Sequence, residues 1–192
     1  EAIEVEVAGD FGAALSELKN LPDKPITQPK TFKGQLRPYQ VRGLAWLEGL
    51  TRLGLGGILA DDMGLGKTIQ VLALMLHRQE QSPTFGPPTL LICPTSLLGN
   101  WEREIAKFAP SVPFFVHHGN NREELPKVFK PHTIVLTTYG VIRREEEIFG
   151  ARSWAIVVVD EAQAIKNAGS AQAKAVRKIK APCKIALTGT PI

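Results

Sequence analysis

The stretch Gly56-Gly57-Ile58-Leu59-Ala60-Asp61-Asp62-Met63-Gly64-Leu65-Gly66-Lys67-Thr68 joins a short apolar segment to a glycine-rich turn. It then runs straight into an apolar helical pattern from about Lys67 to Arg78. Strand, glycine turn and helix in that order are half of a βαβ unit. Glycines let successive backbone N–H groups point inward around phosphates, and the following helix adds the favourable end of its dipole. Lys67 has the reach for β- and γ-phosphates, and the Thr68 hydroxyl is a ligand for Mg²⁺. Asp62, Met63, Gly64, Leu65 and Gly66 would form the wall of the cradle. The strict phosphate-loop pattern has glycine where this chain has Asp61, a difference of subtype that leaves Gly64, Gly66, Lys67 and Thr68 in place. A glycine-rich turn can also be purely structural; the lysine, the threonine and the flanking elements together favour a nucleotide.

Outward from this turn the same alternation recurs. Pro38 suits a helix start, and Leu44, Leu47 and Leu50 recur on one face towards Leu53. Gly56–Ala60 reads as a strand, and residues 81–88, with three prolines and a glycine, as a surface loop. Thr89–Cys93 reads as a strand and Leu97–Phe108 as an amphipathic helix with Leu97, Trp101, Ile105 and Phe108 on its face. Phe114–His117, Thr133–Thr137, Ala155–Asp160 and Lys184–Leu187 follow as strands. Runs such as Ile156–Val159 have the composition of strands buried on both faces. The expected fold is α/β: a mostly parallel, doubly wound sheet with helices on both faces.

Residues 1–35 read differently. Ile3, Val5 and Val7 alternate as in a short strand, residues 10–20 suit a short helix, and Pro22, Pro25 and Pro29 punctuate the stretch up to the lobe. This region is expected to be an extension or linker, the tail of something that precedes Glu1, with the lobe proper spanning 36–192.

Hydrophobic residues at 44% and charged residues at 22% of 192 allow a full core and argue against wholesale disorder. The net charge of +4 permits contact with phosphate backbones without demanding it. Cys93 and Cys183 lie in apolar runs and form no CxxC pair, so they read as buried thiols rather than zinc ligands. His117 and His118 would point to opposite sides of a strand, and His77 and His132 stand alone. No apolar stretch approaches the roughly 20 residues of a membrane span, and Glu1, Glu4 and Glu6 are unlike a signal peptide. An intracellular protein is expected: cytoplasm or nucleoid in a prokaryote, nucleus in a eukaryote.

A second signal, Asp160-Glu161-Ala162-Gln163, ends the most apolar strand. Ligands of doubly wound sheets bind at the carboxyl ends of strands, so both acids should face the phosphate loop. Asp160 is the Mg²⁺ candidate and Glu161 the candidate base that orients and deprotonates water. An Asp-Glu pair after a strand is alone only a polar loop; the upstream glycine turn gives it chemistry.

With these residues in view, the chain resembles the first RecA-like lobe of helicase superfamily two, and within it the Swi/Snf-type DNA-dependent ATPases. Leu36-Arg37-Pro38-Tyr39-Gln40 with Gly43 resembles their adenine-reading segment, and Asp61–Gln70 (DDMGLGKTIQ) their motif I. Cys93-Pro94-Thr95-Ser96 with Asn100-Trp101 resembles motif Ia, and Thr137-Thr138-Tyr139 motif Ib. Asp160–Asn167 (DEAQAIKN) resembles motif II with its Lys-Asn extension, and Leu187–Pro191 (LTGTP) motif III. The motifs stand in family order from about Leu36 to the last residue.

The resemblance implies an ATP- and Mg²⁺-dependent motor tracking double-stranded DNA by its backbone, completed by a second RecA-like lobe that carries an arginine finger. It assigns Gln40 to the adenine edge, whose donor and acceptor an amide can match; the alternative is an exposed helix glutamine. It assigns Thr95, Ser96 and Thr138 to DNA phosphates, against the alternative that they cap the next helix. Gln163, Thr188 and Thr190 would couple nucleotide state to motif III; the alternative for the threonines is that they only satisfy local backbone groups. Gln163 stands where many members have histidine. Trp101 and Phe108 read as core rather than base-stacking platforms, and the charged run Arg143–Glu147 as a solvated helix face. Two rival readings remain: a strand-separating or RNA-directed helicase, and a nucleotide switch that uses no nucleic acid.

Overall fold

The computed structural model describes residues 26–62, 64–84, 86–119 and 122–189. The strand and helix expected within residues 1–20 lie outside these. The chain orders as α1 (Pro38–Arg52), β1 (Gly57–Leu59), α2 (Lys67–Gln81), β2 (Thr89–Cys93), a 3₁₀ turn (Thr95–Leu97) and α3 (Leu98–Phe108). Then come β3 (Phe114–His117), β4 (Ile134–Thr138), α4 (Tyr139–Arg144), α5 (Glu146–Gly150) and β5 (Ile156–Val159). A second 3₁₀ turn (Ala162–Ile165), α6 (Ala171–Lys178) and β6 (Cys183–Leu187) complete it.

The six strands form one sheet in the order β1-β6-β5-β2-β4-β3, every pairing parallel. From β1 the chain crosses through α2 to β2, leaving a gap that β5 and β6 later fill, while β3 and β4 extend the opposite side. The crossovers leaving the neighbouring strands β2 and β5 run to opposite sides, to β3 and to β6, so the winding reverses between them, and ligands of such folds bind at the strand ends beside such a reversal.

Strand composition follows from burial on both faces. Leu91 and Cys93 of β2 and Ile156 and Val158 of β5 pack with α1, α2 and α3, while Leu90, Ile92, Val157 and Val159 pack with α4, α5 and α6. All five residues of β2 and all four of β5 are buried. An unpaired polar residue at either parity would lose about 1–3 kcal/mol of desolvation, so the runs are apolar apart from Thr89, whose hydroxyl donates to Met75 Sδ. The edges are less covered: Ile58 of β1 is 51% exposed and Phe114 of β3 is 41% exposed.

The described end of the expected linker lies against the lobe. Phe32 is buried and stacks on Phe108 with ring centroids 5.6 Å apart. Lys33 N donates to the Phe108 carbonyl, and Gln28 accepts from Leu36 N while donating to the Gly34 carbonyl. Residues 26–35 thus pack as part of the fold's surface layer.

One expectation is corrected. The run Arg143–Glu147 is not one solvated face, because the helix breaks at Glu145 and that side chain turns inward. Its carboxylate pairs with Arg122 and lies 2.8 Å from His117 Nε2. Arg143, Arg144 and Glu147 remain exposed.

Helix α1 meets α2 at Gly43, where an added Cβ would lie 1.7 Å from Gln70 Oε1. Gln70 is buried and cannot swing aside freely, because its Nε2 donates to Asp61 Oδ2 at 2.9 Å. Gly43→Ala should therefore destabilise the fold by about 1–3 kcal/mol, the usual cost of overpacking. In a Gln70→Ala background the same substitution should cost markedly less. Urea denaturation of the four proteins checks this, and equal penalties in both backgrounds would exclude the clash.

Candidate nucleotide site

The turn after β1 takes the conformation that its glycines permit. Gly64 and Gly66 have φ of 86° and 79°, left-handed values that side-chain-bearing residues rarely adopt. Gly66 is doubly constrained, since a Cβ there would meet Gln40 Nε2 at 2.6 Å. It also occupies the N-cap of α2, so Lys67 and Thr68 stand in the helix's first turn with unpaired N–H groups nearby. Lys67 Nζ lies across the turn and donates to the Asp61 and Asp62 carbonyls at 2.5 and 3.2 Å. Asp61, where the strict pattern has glycine, serves the fold instead, since its carboxylate accepts from Gln70 and anchors the start of the turn to α2. Met63 lies outside the described residues.

Across from the turn stands Asp160, at the end of β5. Its main-chain N–H donates to the Ile92 carbonyl, so the residue still belongs to the sheet. Its Oδ2 accepts from Trp101 Nε1 at 2.8 Å and its Oδ1 from the Glu161 N–H at 2.8 Å. Burial raises the Asp160 carboxyl above the usual range, with Glu161 adding to the effect; the two N–H donors and Lys67 oppose it. A cation at this carboxylate would act with Lys67 against burial. Burial and the nearby Asp160 also push the Cys93 thiol up to about 12, so it is a neutral core group.

Glu161 takes φ 50° and ψ 52°, left-handed for a residue with a full side chain. The turn is held by Tyr139, whose hydroxyl donates to the Asp160 carbonyl at 2.5 Å and lies 3.4 Å from that of Glu161. From there Glu161 accepts from Gln163 Nε2, and Gln163 Oε1 accepts from Thr188 Oγ1 at 2.9 Å. Asp160, Glu161, Gln163 and Thr188 are thereby joined in one bonded path from β5 to β6. Thr190 lies outside the described residues.

Gly64, Gly66, Lys67, Thr68, Asp160 and Glu161 line one cavity of about 380 Å³. The Thr68 hydroxyl and the two carboxylates that line it are all hard oxygens, the donor type Mg²⁺ takes. No group of three or more His, Cys, Asp or Glu gathers among the described residues. That donor set fits an ion shared with a ligand's phosphates better than one caged by protein alone.

The remaining candidates separate. Gln40 is buried, unlike the exposed alternative: its Oε1 accepts from Arg37 N at the start of α1, and its Nε2 donates to the Leu65 carbonyl at 3.2 Å. Tyr39 reaches the same carbonyl through its hydroxyl at 3.1 Å. Gln40 thus fastens α1 to the phosphate turn. Thr95 and Ser96 are exposed beyond the carboxyl end of β2, and neither adjoining helix start has a side-chain cap bond. Thr138 is buried at the end of β4, its hydroxyl 3.5 Å from His118 Nδ1, so the more accessible polar group there is the histidine ring. Phe108 lies against Phe32.

Three residues at this site have roles that their pattern does not disclose. Trp101 is fully buried, as its place on the apolar face implies, yet its N–H serves Asp160. Tyr139 and Gln70 likewise spend one polar atom each on the site's backbone or carboxylate. The available signal is chemical: a buried Trp or Tyr usually finds a partner for its polar end.

Comparison with known proteins agrees with this geometry. The family model described as the SNF2-related domain matches residues 39–192. The protein YwqA of Bacillus subtilis is 44% identical over 181 residues, covering 93% of this chain and 19% of that protein. The human chromatin-remodeling ATPase INO80 is 36% identical over 178 residues, covering 87% of this chain and 11% of its own length. The solved Sulfolobus solfataricus SWI2/SNF2 ATPase core in complex with dsDNA superposes with a TM-score of 0.79 at 42% identity. That match covers 88% of this chain and 35% of the other. The chain thus spans 19% of YwqA and 11% of INO80, a small part of either relative. Matched by that family model over residues 39–192, and with a parallel sheet whose glycine turn and acidic turn line one cavity, the chain belongs to the SNF2 family of ATPases.

Proposed function

We propose that residues 36–192 form the ATP-binding lobe of a DNA-dependent ATPase that moves along duplex DNA without separating its strands. The observation that carries this reading is the facing of Lys67 and Thr68 against Asp160 and Glu161 across one cavity. Duplex DNA as the track is supported by the solved relative described as in complex with dsDNA. The exposed hydroxyls of Thr95 and Ser96 on the same end of the sheet also fit backbone contact.

Each residue's part follows from its surroundings. Lys67 would exchange the Asp61 and Asp62 carbonyls for β- and γ-phosphate oxygens, while the N–H groups of the turn and the first turn of α2 hold the chain of phosphates. The Thr68 hydroxyl and Asp160 carboxylate would hold Mg²⁺, which when bound supplies positive charge to the phosphate oxygens. Glu161 would orient the attacking water and take its proton. Gln163, bonded to both Glu161 and Thr188, would pass a change at the γ-phosphate to the strand-end after β6. Gln40 would complete the site by holding the turn at Leu65, with its remaining N–H free for an adenine edge.

Lys67→Ala should abolish tight ATP·Mg²⁺ binding in calorimetry, because a desolvated cation facing the phosphates is lost; unchanged affinity would exclude the phosphate-loop assignment. Glu161→Gln in the full-length protein should keep ATP affinity and stop turnover, since the amide preserves shape but cannot take a proton. Near-normal turnover would assign the base elsewhere.

The transition state spreads charge over the γ-oxygens, and an arginine from another element typically contributes ~10³–10⁵ in rate. A second RecA-like lobe would supply it here. Residues 1–192 alone should therefore bind ATP weakly and release phosphate very slowly, with or without duplex DNA, and the longer protein should show DNA-stimulated turnover. Phosphate-release assays with duplex DNA, single-stranded DNA and RNA as activators of the full-length protein separate this reading from its rivals. Stimulation by RNA or single strands alone would favour a strand-separating helicase, and no stimulation by any of them a nucleotide switch.

Binding to duplex DNA should fall steeply with salt, each cation-neutralised phosphate adding about −0.9 to the log–log slope. Salt-independent affinity, or strong preference for one sequence, would exclude backbone tracking.

A further inference from the structure

Two side chains from outside motif II donate to Asp160, and each comes from an element that begins beside a DNA-side candidate. Trp101 stands near the start of α3, which follows directly from the Thr95–Leu97 turn carrying the exposed Thr95 and Ser96. Its indole N–H, a donor only, meets Asp160 Oδ2 at 2.8 Å inside the core. Tyr139 is the first residue of α4 and is joined by one peptide bond to Thr138, beside His118. Its hydroxyl meets the Asp160 main-chain carbonyl at 2.5 Å. The side chain and the backbone of one acid are thus each held by a buried residue of a different element, each element adjoining a DNA-side candidate.

We propose that Trp101 and Tyr139 are positioning residues that transmit DNA engagement to the Mg²⁺-holding carboxylate, Trp101 by aiming its oxygens and Tyr139 by holding the turn that presents it. This rests on the motor reading above. The geometry suits transmission for three reasons. Each Asp160 oxygen takes one donor, from Trp101 or from Glu161 N–H, which leaves each a lone pair to present to the cavity. Both linking side chains are buried, so a shift of α3 or α4 cannot be absorbed by solvent. Finally, the turn they hold contains Glu161 at φ 50°, a conformation that persists only where surrounding bonds define it. A displacement of the Thr95–Ser96 turn or of the Thr138 end of β4 would then alter the aim of Asp160 and the backbone of Glu161 together.

The test uses the full-length protein as wild type, Tyr139→Phe and Trp101→Phe. Affinity for a non-hydrolysable ATP analogue is measured by calorimetry across a Mg²⁺ titration, with and without duplex DNA, and phosphate release is followed in parallel. The ratio of analogue affinities with and without DNA is the coupling between the sites, and it is reciprocal. In the wild type DNA should tighten Mg²⁺·analogue binding and speed release. In Tyr139→Phe, which deletes one hydroxyl and keeps the ring packing, DNA stimulation should drop about fivefold to tenfold, the worth of one buried hydrogen bond. The coupling ratio should approach one, while DNA affinity without nucleotide stays within about twofold of wild type. Trp101→Phe should do the same and also raise the Mg²⁺ needed for half-maximal analogue binding. Should it fold poorly, Tyr139→Phe decides alone.

Wild-type coupling and stimulation in Tyr139→Phe would overturn the proposal, as would a general loss of affinities with the ratio intact, the mark of a merely structural bond. A wild type that DNA does not stimulate at all would instead overturn the motor reading, and this inference with it.

Discussion

A carboxylate at the end of a strand buried on both faces sets the terms for the rest of this lobe. Asp160 follows Ile156–Val159, all of them buried, and burial disfavours its charged form. Leaving such a group unpaired would cost several kcal/mol, so the surroundings supply an indole N–H, a backbone N–H and, across the cavity, Lys67. The acid is aimed by neutral donors rather than quenched by a contact ion pair. That arrangement leaves the carboxylate at the cavity, facing Lys67 and Thr68.

The same constraint explains why three elements distant in sequence converge on it. Helix α3 must place Trp101 beneath the carboxylate, α4 must place Tyr139 beneath its carbonyl, and α2 must begin opposite. The parallel sheet brings all three to one edge because every strand ends on the same side. The phosphate turn is itself cross-braced: Gln40 and Tyr39 of α1 hold the Leu65 carbonyl, and Gln70 of α2 holds Asp61. Gly43 lets α1 come close enough for this, since any side chain there would strike Gln70.

These braces also mark where reading the sequence succeeds and where it stops. The strands Thr89–Cys93 and Phe114–His117 are legible at both ends, since apolar runs between turn residues have few alternatives. The glycine turn and the acidic turn are legible as places, since each follows an apolar strand, and the structure puts both on one cavity. Helical spacing places Trp101 in the core, where it lies, yet periodicity says nothing of where an indole N–H points. Glu145 defeats the same reading for a related reason. Among charged neighbours it looks solvated, and only the fold brings His117 and Arg122 to it. The motif assigns Gln40 to the nucleotide, whereas the fold also engages both ends of its amide in bracing the loop. Pairwise packing between distant segments is the information a single sequence carries least openly.

Gln163 shows how such a brace can tolerate substitution within a family. The position must accept one hydrogen bond, from Thr188, and donate another, to Glu161. A neutral imidazole, with one nitrogen protonated and the other bare, satisfies that demand, and so does an amide. The two differ in what protons do to them. An imidazole that gains a proton becomes a donor at both nitrogens and can no longer accept from Thr188, whereas the amide keeps one acceptor and two donors across the physiological range. The link between the candidate base and the end of β6 therefore does not depend on a proton at position 163; what can alter it is a movement of either strand-end turn or the proton that Glu161 itself would take.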